Sequence, residues 1–135
     1  MTAHHADDAD SVAFGVLTVS SSRTLEADAS GDAVVAALKD GGHAVAAREL
    51  VADARDAISE RVAEWLDRDG VEAVVTTGGT GLTPDDVTVE AVHPLFDREI
   101  PGFGEQFRAG SVEQVGPHGM LTRATAGVAD GVPVF

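Results

Sequence analysis

The chain has 135 residues and a formal net charge of −14, from 23 acidic against nine basic side chains. That length fits one domain able to bury an ordinary core, and the absence of cysteine removes disulfides, thiol nucleophiles and cysteine-based zinc sites. No basic stripe or aromatic platform is present to hold a nucleic acid, and no apolar run approaches the length of a membrane span. The acids are scattered rather than clustered, and Lys39 is the only lysine. Such a surface suits a cytoplasm of molar salt, where the screening length falls to about 3 Å and self-repulsion is muted. A halophilic source is therefore expected, and an N-terminus that is acidic rather than signal-like points to the cytoplasm.

Residues 1–11 read as a disordered acidic tail, with His4 and His5 beside Asp7 and Asp8, and residues 12–135 as a single domain. Val12 to Ser20 is apolar enough for a buried strand, ending in Ser20-Ser21-Ser22-Arg23. Open α/β sheets place ligands at such strand ends, which makes Ser20 a candidate site residue. A helix follows, with Ser30 as its expected cap, Ala33, Val34, Ala37 and Leu38 on its inner face, and Gly41-Gly42 ending it. Ala44 to Val51 reads as a more polar strand nearer a sheet edge. Asp53 then stands at the expected cap of a helix carrying Ile58, Val62, Trp65 and Leu66 at core spacing.

Val71 to Thr77 reads as a third strand, and it stops at Gly78-Gly79-Thr80-Gly81. Glycines there let the backbone approach an anion and take positive φ, with N–H groups free to face it. Thr76, Thr77 and Thr80 add hydroxyls. Asp85 and Asp86 cannot bind phosphate directly, so beside such a loop they suggest Mg²⁺ or proton handling. A plain strand-to-helix turn with Asp86 as cap is the competing reading. Strand–helix–strand–helix–strand spacing predicts a mainly parallel sheet with helices on both faces, a three-layer α/β/α fold in the α/β class. Three strand ends would then bring the Ser20 loop, Asp53 and the glycine loop together.

After Ala91 the pattern breaks. His93-Pro94 is expected to end a short helix, because a residue before proline avoids the α region. Gly102 to Gly110 reads as a helix with Phe103 and Phe107 on one side, Val115 to Thr125 as irregular with a helical turn near Met120, and Gly131 to Phe135 as a further strand.

The string Thr76-Thr77-Gly78-Gly79-Thr80-Gly81, then Asp86-Val87-Thr88 and Glu90-Ala91, resembles the signature of the molybdopterin-binding MogA/MoaB family. Pro101-Gly102-Phe103-Gly104-Glu105 is similar to a second segment of that family, and the resemblance runs from about Phe14 to the last residue. It implies adenylylation of molybdopterin by Mg-ATP in molybdenum cofactor biosynthesis. On that reading Asp53 matches an essential aspartate and is assigned, with Asp86, a catalytic and Mg²⁺-holding role. Ser30 and Gly31 would border the pterin, and Thr77, Gly78, Gly79, Thr80, Gly81, Thr88 and Ser20 would line the substrate site. Members form trimers or hexamers, so a homo-oligomer is expected, with the Pro101–Phe107 region as a contact.

Two departures stand beside the resemblance. The family continues beyond the last strand into a Leu-Pro-Gly-Ser/Asn-Pro loop and a helix, and this sequence stops at Phe135. Pro84-Asp85-Asp86 also resembles the paired aspartate of CinA-type competence-damage proteins. The alternatives are therefore a non-catalytic pterin carrier and a CinA-like nucleotide-processing domain.

Overall fold

The computed structural model describes residues 10–135. The acidic stretch at 1–9, with both of its histidines, lies outside the described residues. Six strands form one sheet: β1 (Ala13–Val19), β2 (Ala44–Val51), β3 (Ala73–Thr77), β4 (Arg98–Glu99), β5 (Gly127–Ala129) and β6 (Val132–Val134). The helices are α1 (Ala29–Asp40), α2 (Arg55–Leu66), α3 (Thr88–Val92) and α4 (Pro101–Val115). Strand order is β2-β1-β3-β6-β5-β4, with β2, β1, β3 and β6 parallel and β5 antiparallel to both of its neighbours.

Both faces of β1 are covered, which is why its sequence is a nearly unbroken apolar run rather than an alternation. On one face Leu17, Val19 and Val74 join Ile58, Val62 and Trp65 of α2 in the main core. Gly15 lies directly under the Trp65 ring, so the indole sits on bare backbone. Trp65 is 1% exposed, a core residue as its spacing predicts. On the other face Val16 and Thr18 pair in register with Val75 and Thr77, beneath α1 and the start of α4. The mainly parallel three-layer α/β arrangement expected from the sequence is the one observed. β2 forms one edge, in keeping with its polar composition.

Several local expectations are corrected. The cap of α1 is Asp28, one residue outside the helix, whose carboxylate accepts the Gly31 N–H at 3.0 Å. Ser30 is already inside the first turn. The inner face of α1 is Gly31, Val34, Val35 and Leu38, while Ala33 and Ala37 are exposed. Asp53 does not cap α2, whose N-cap is Ala54, and Asp86 does not cap α3, whose N-cap is Val87. α3 does end at Val92, yet His93 keeps helical angles and enters a 3-10 turn over His93–Leu95. Proline fits the opening of such a turn because its missing N–H would have no partner there. α4 runs to Val115, five residues past the expected Gly110, and a 3-10 turn at Pro117–Leu121 follows. The C-terminal region contributes the β5–β6 hairpin, turning at Asp130 and Gly131 with positive φ, where one strand was expected.

Candidate functional site

The C-terminal ends of β1, β2 and β3 surround a cavity of about 260 Å³. Its lining includes Ser20, Arg23, Ser30, Asp53, Thr77 and Gly78. The loops are stitched to one another before any ligand arrives. Ser20 Oγ accepts the N–H groups of Ser22 and Arg23 at 3.3 and 3.1 Å, which folds the chain back after β1. Asp53 and Ser21 bond reciprocally: the Ser21 N–H donates to Asp53 Oδ2 at 3.0 Å, and the Asp53 N–H donates to Ser21 Oγ at 3.0 Å. Arg23 Nη1 donates to Ser30 Oγ at 3.0 Å, so the hydroxyl expected to cap the helix instead holds the guanidinium at the cavity rim.

Asp28 lies beneath this rim and is 0% exposed. Its carboxylate accepts from Thr18 Oγ1 at 2.6 Å and from Arg48 Nη2 at 3.3 Å, besides capping Gly31. Burial alone would raise this carboxyl, but the bonds from Thr18, Gly31 and Arg48 outweigh it and hold the group below the ordinary carboxylate value. Thr18 in turn lines the cavity floor. A buried charge with this many donors fixes the position of everything above it.

The glycine loop needs its glycines for two separate reasons. Gly78 and Gly79 take φ of +101° and +72°, a region that side chains rarely adopt. A Cβ on Gly78 would also strike the Val19 carbonyl of β1, and one on Gly79 would strike Thr88 Oγ1. Thr88 is buried; its hydroxyl donates to the Gly78 carbonyl at 2.8 Å and its N–H to the Gly79 carbonyl at 3.1 Å. It therefore straps the loop down rather than capping α3.

Asp86 closes the same loop on itself. Its Oδ2 accepts the Thr83 N–H at 3.0 Å and the Thr83 hydroxyl at 2.8 Å. These bonds, with help from the Gly81 N–H and the charge of Arg123, hold its carboxyl below the ordinary value against the effect of burial. Asp86 and Asp53 line different hollows: Asp86 borders one of about 450 Å³ with Leu82, Thr83, Glu90 and Arg123. Asp85 is exposed. Among the described residues no three His, Asp or Glu side chains gather closely enough to hold a metal by themselves. Mg²⁺ in phosphoryl-transfer sites is commonly held by one or two carboxylates together with substrate phosphates and water, so a single Asp53 on the cavity wall fits that donor set.

Thr77 and Gly78 also border a second, more apolar hollow of about 230 Å³, lined by Thr80, Thr88, Phe103, Phe107 and Phe135. Phe103 packs between its neighbours, with ring centroids 5.9 Å from Phe107 and 5.3 Å from Phe135. Phe107 remains 47% exposed. Two residues absent from the sequence-based set stand out here. Arg23 had a weak signal, a rare cation on a strand-end loop of an acidic chain. Arg123, which holds the glycine loop through contacts 33 to 42 residues away in sequence, had none.

An open, mainly parallel α/β sheet with a glycine loop, a hydroxyl-rich loop and a carboxylate around one cavity at its strand ends defines a ligand-binding domain of the doubly covered α/β class. The chain belongs to the molybdopterin-binding MogA/MoaB family, for the profile of a probable molybdopterin binding domain matches residues 15–135. It is 43% identical over 133 residues to molybdenum cofactor biosynthesis protein B of Bacillus subtilis, covering 98% of this chain and 78% of that protein. The crystal structure of a molybdenum cofactor biosynthesis protein B matches with a TM-score of 0.89 and 41% identity, over 95% of this chain and 81% of that one. The tungsten cofactor synthesizing protein MoaB from Pyrococcus furiosus matches with a TM-score of 0.76 and 38% identity, over 95% and 82%. The CinA protein from Thermoplasma acidophilum, 20% identical with a TM-score of 0.61 over 93% and 88%, shares the fold.

Proposed function

We propose that this domain acts in molybdenum cofactor biosynthesis by transferring an adenylyl group from Mg-ATP to molybdopterin. The observation that carries the reading is the cavity in which Ser20, Arg23, Ser30, Asp53, Thr77 and Gly78 meet at the ends of three parallel strands. Names of the relatives, molybdenum cofactor biosynthesis protein B among them, support the pathway. In the proposed step an oxygen of the molybdopterin phosphate attacks the α-phosphorus of ATP. The new P–O bond forms as the bond to the bridging oxygen breaks, and pyrophosphate leaves with the electron pair.

Chemistry of this type needs positioning and charge neutralisation more than a covalent intermediate. Arg23, oriented by Ser30, supplies positive charge at the rim of a protein that is otherwise strongly acidic. The glycine loop supplies backbone N–H groups, and Thr77, Thr80 and Ser20 supply hydroxyls. Asp53 would hold Mg²⁺ together with the nucleotide phosphates, and the ion would neutralise charge on the transferring group. Asp86 sets the shape of the loop. A homo-oligomer whose subunits meet near the exposed Phe107 belongs to the same reading.

The test is a turnover assay in molar KCl with molybdopterin and Mg-ATP, following adenylylated pterin and pyrophosphate. Product that disappears with EDTA is expected, and full activity in EDTA would remove Mg²⁺ from the proposal. Asp53→Asn is expected to lower turnover by at least tenfold while pterin binding is kept. A pure carrier would be indifferent to that substitution, and equal pterin binding without any turnover in the wild type would establish the carrier instead.

A further inference from the structure

We propose that Arg123 is a positioning residue that latches the glycine loop with its carbonyls turned away from the ligand. Its role in turnover rests on the adenylyl-transfer reading, but the latch itself does not. Arg123 reaches the loop from the segment after α4 and ties down three of its carbonyls. Its backbone N–H donates to the Thr80 carbonyl at 2.7 Å, Nε to the Gly81 carbonyl at 2.8 Å, and Nη2 to the Asp86 carbonyl at 2.8 Å. The far side of the guanidinium is held by Glu90, at 2.5 and 3.2 Å to its two carboxylate oxygens. Glu90 projects from α3, the helix that the loop opens into, so both ends of the loop are bound to one side chain.

The physical need for a latch follows from the glycines. A loop this rich in glycine can rotate its peptide planes and present either N–H or C=O to the cavity. Only the first attracts a phosphate; carbonyl oxygens would repel it. Because a trans peptide points its C=O and N–H in opposite directions, drawing the Thr80 and Gly81 carbonyls toward Arg123 turns the following N–H groups away from it. Five donors in a fixed fork suit this task; a lysine ammonium cannot reach the Gly81 and Asp86 carbonyls and both oxygens of Glu90 together.

The experiment compares wild type with Arg123→Met, Arg123→Lys and Glu90→Gln. Three quantities are read: amide hydrogen exchange residue by residue, binding of inorganic pyrophosphate by calorimetry, and kcat and KM for molybdopterin. Arg123→Met is expected to raise exchange at residues 78–86 about tenfold or more, leaving β1 and β2 unchanged. Pyrophosphate binding should weaken in parallel, and kcat should fall about a hundredfold, the size that a displacement of order 1 Å produces, with KM for molybdopterin nearly constant. Arg123→Lys should fall between, and Glu90→Gln, which keeps the carbonyl contacts, should raise loop exchange about threefold. Wild-type exchange in the loop of Arg123→Met, or a rise spread evenly over the whole sheet, overturns the latch. Should Arg123→Met not fold, Glu90→Gln decides by the same criteria. A wild type with no turnover would overturn the adenylyl-transfer reading alone, since hydrogen exchange still decides the latch.

Discussion

Asp28 carries a charge with no access to water and survives there because Thr18, Gly31 and Arg48 all donate to it. Removing the carboxylate by Asp28→Ala leaves the buried Thr18 hydroxyl without its acceptor and α1 without its cap, while Arg48 keeps its pair with Asp32, at a cost of about 3 kcal/mol in urea unfolding. The pH dependence has a definite sign. A carboxyl whose folded value is depressed contributes its stability fully above the ordinary value, near pH 4, and loses it as pH falls through the folded value. The wild-type urea midpoint should therefore drop steeply below about pH 4. Asp28→Asn, already neutral, should show a shallower acid dependence, and parallel curves for the two proteins would refute this account. Arg123 bears the opposite burden. It is partly exposed, and its worth lies in geometry rather than in Coulomb energy.

At the scale of elements, the glycine loop is the part most sensitive to a single methyl group. Gly79→Ala demands positive φ from a residue with a Cβ and drives that Cβ into the Thr88 hydroxyl. We expect a loss of about 2–3 kcal/mol and at least tenfold weaker phosphate binding, measured by thermal unfolding and calorimetry. Unchanged stability would mean that the loop readily adopts another path. Elements of this kind announce themselves in sequence, because burial on both faces leaves β1 and β3 as apolar runs and the glycines punctuate them. α2 was equally legible, since Ile58, Val62 and Trp65 repeat at helical spacing. β4 and β5 were not, because strands of two and three residues are too short to show a period. The α1 cap was misplaced for a different reason: Asp28 and Ser30 both suit a helix start, and only the buried Thr18 and the half-buried Arg48 favour the former. Of the candidate site residues, Ser20, Ser30, Asp53, Thr77 and Gly78 do meet around one cavity. Asp86 borders another, a separation that depends on loop geometry and has no local signal.

For the whole molecule the decisive quantity is the net charge of −14 on 135 residues. Carboxylates crowded over a small surface repel one another, and salt relieves this as the screening length shrinks from about 10 Å at 0.1 M to about 3 Å at 1 M. We expect the melting temperature to climb by roughly 10 °C or more between 0.1 and 2 M KCl, about 2–3 kcal/mol for a domain of this size. A flat or falling melting temperature would sink the halophilic reading. Among the described residues no helix is long and apolar enough to cross a membrane.

The strand order carries a consequence for how the molecule is made. β1, β2 and β3 belong to one continuous stretch that ends at Thr77, whereas β6, which pairs with the open side of β3, begins at Val132. On a ribosome the first half can therefore fold as a unit while β3 still offers a bare row of N–H and C=O groups. At a synthesis rate of roughly 5–20 residues per second, the intervening residues keep that row open for several seconds. During that interval β3 is a template for any passing extended segment, including the same strand of a neighbouring nascent chain.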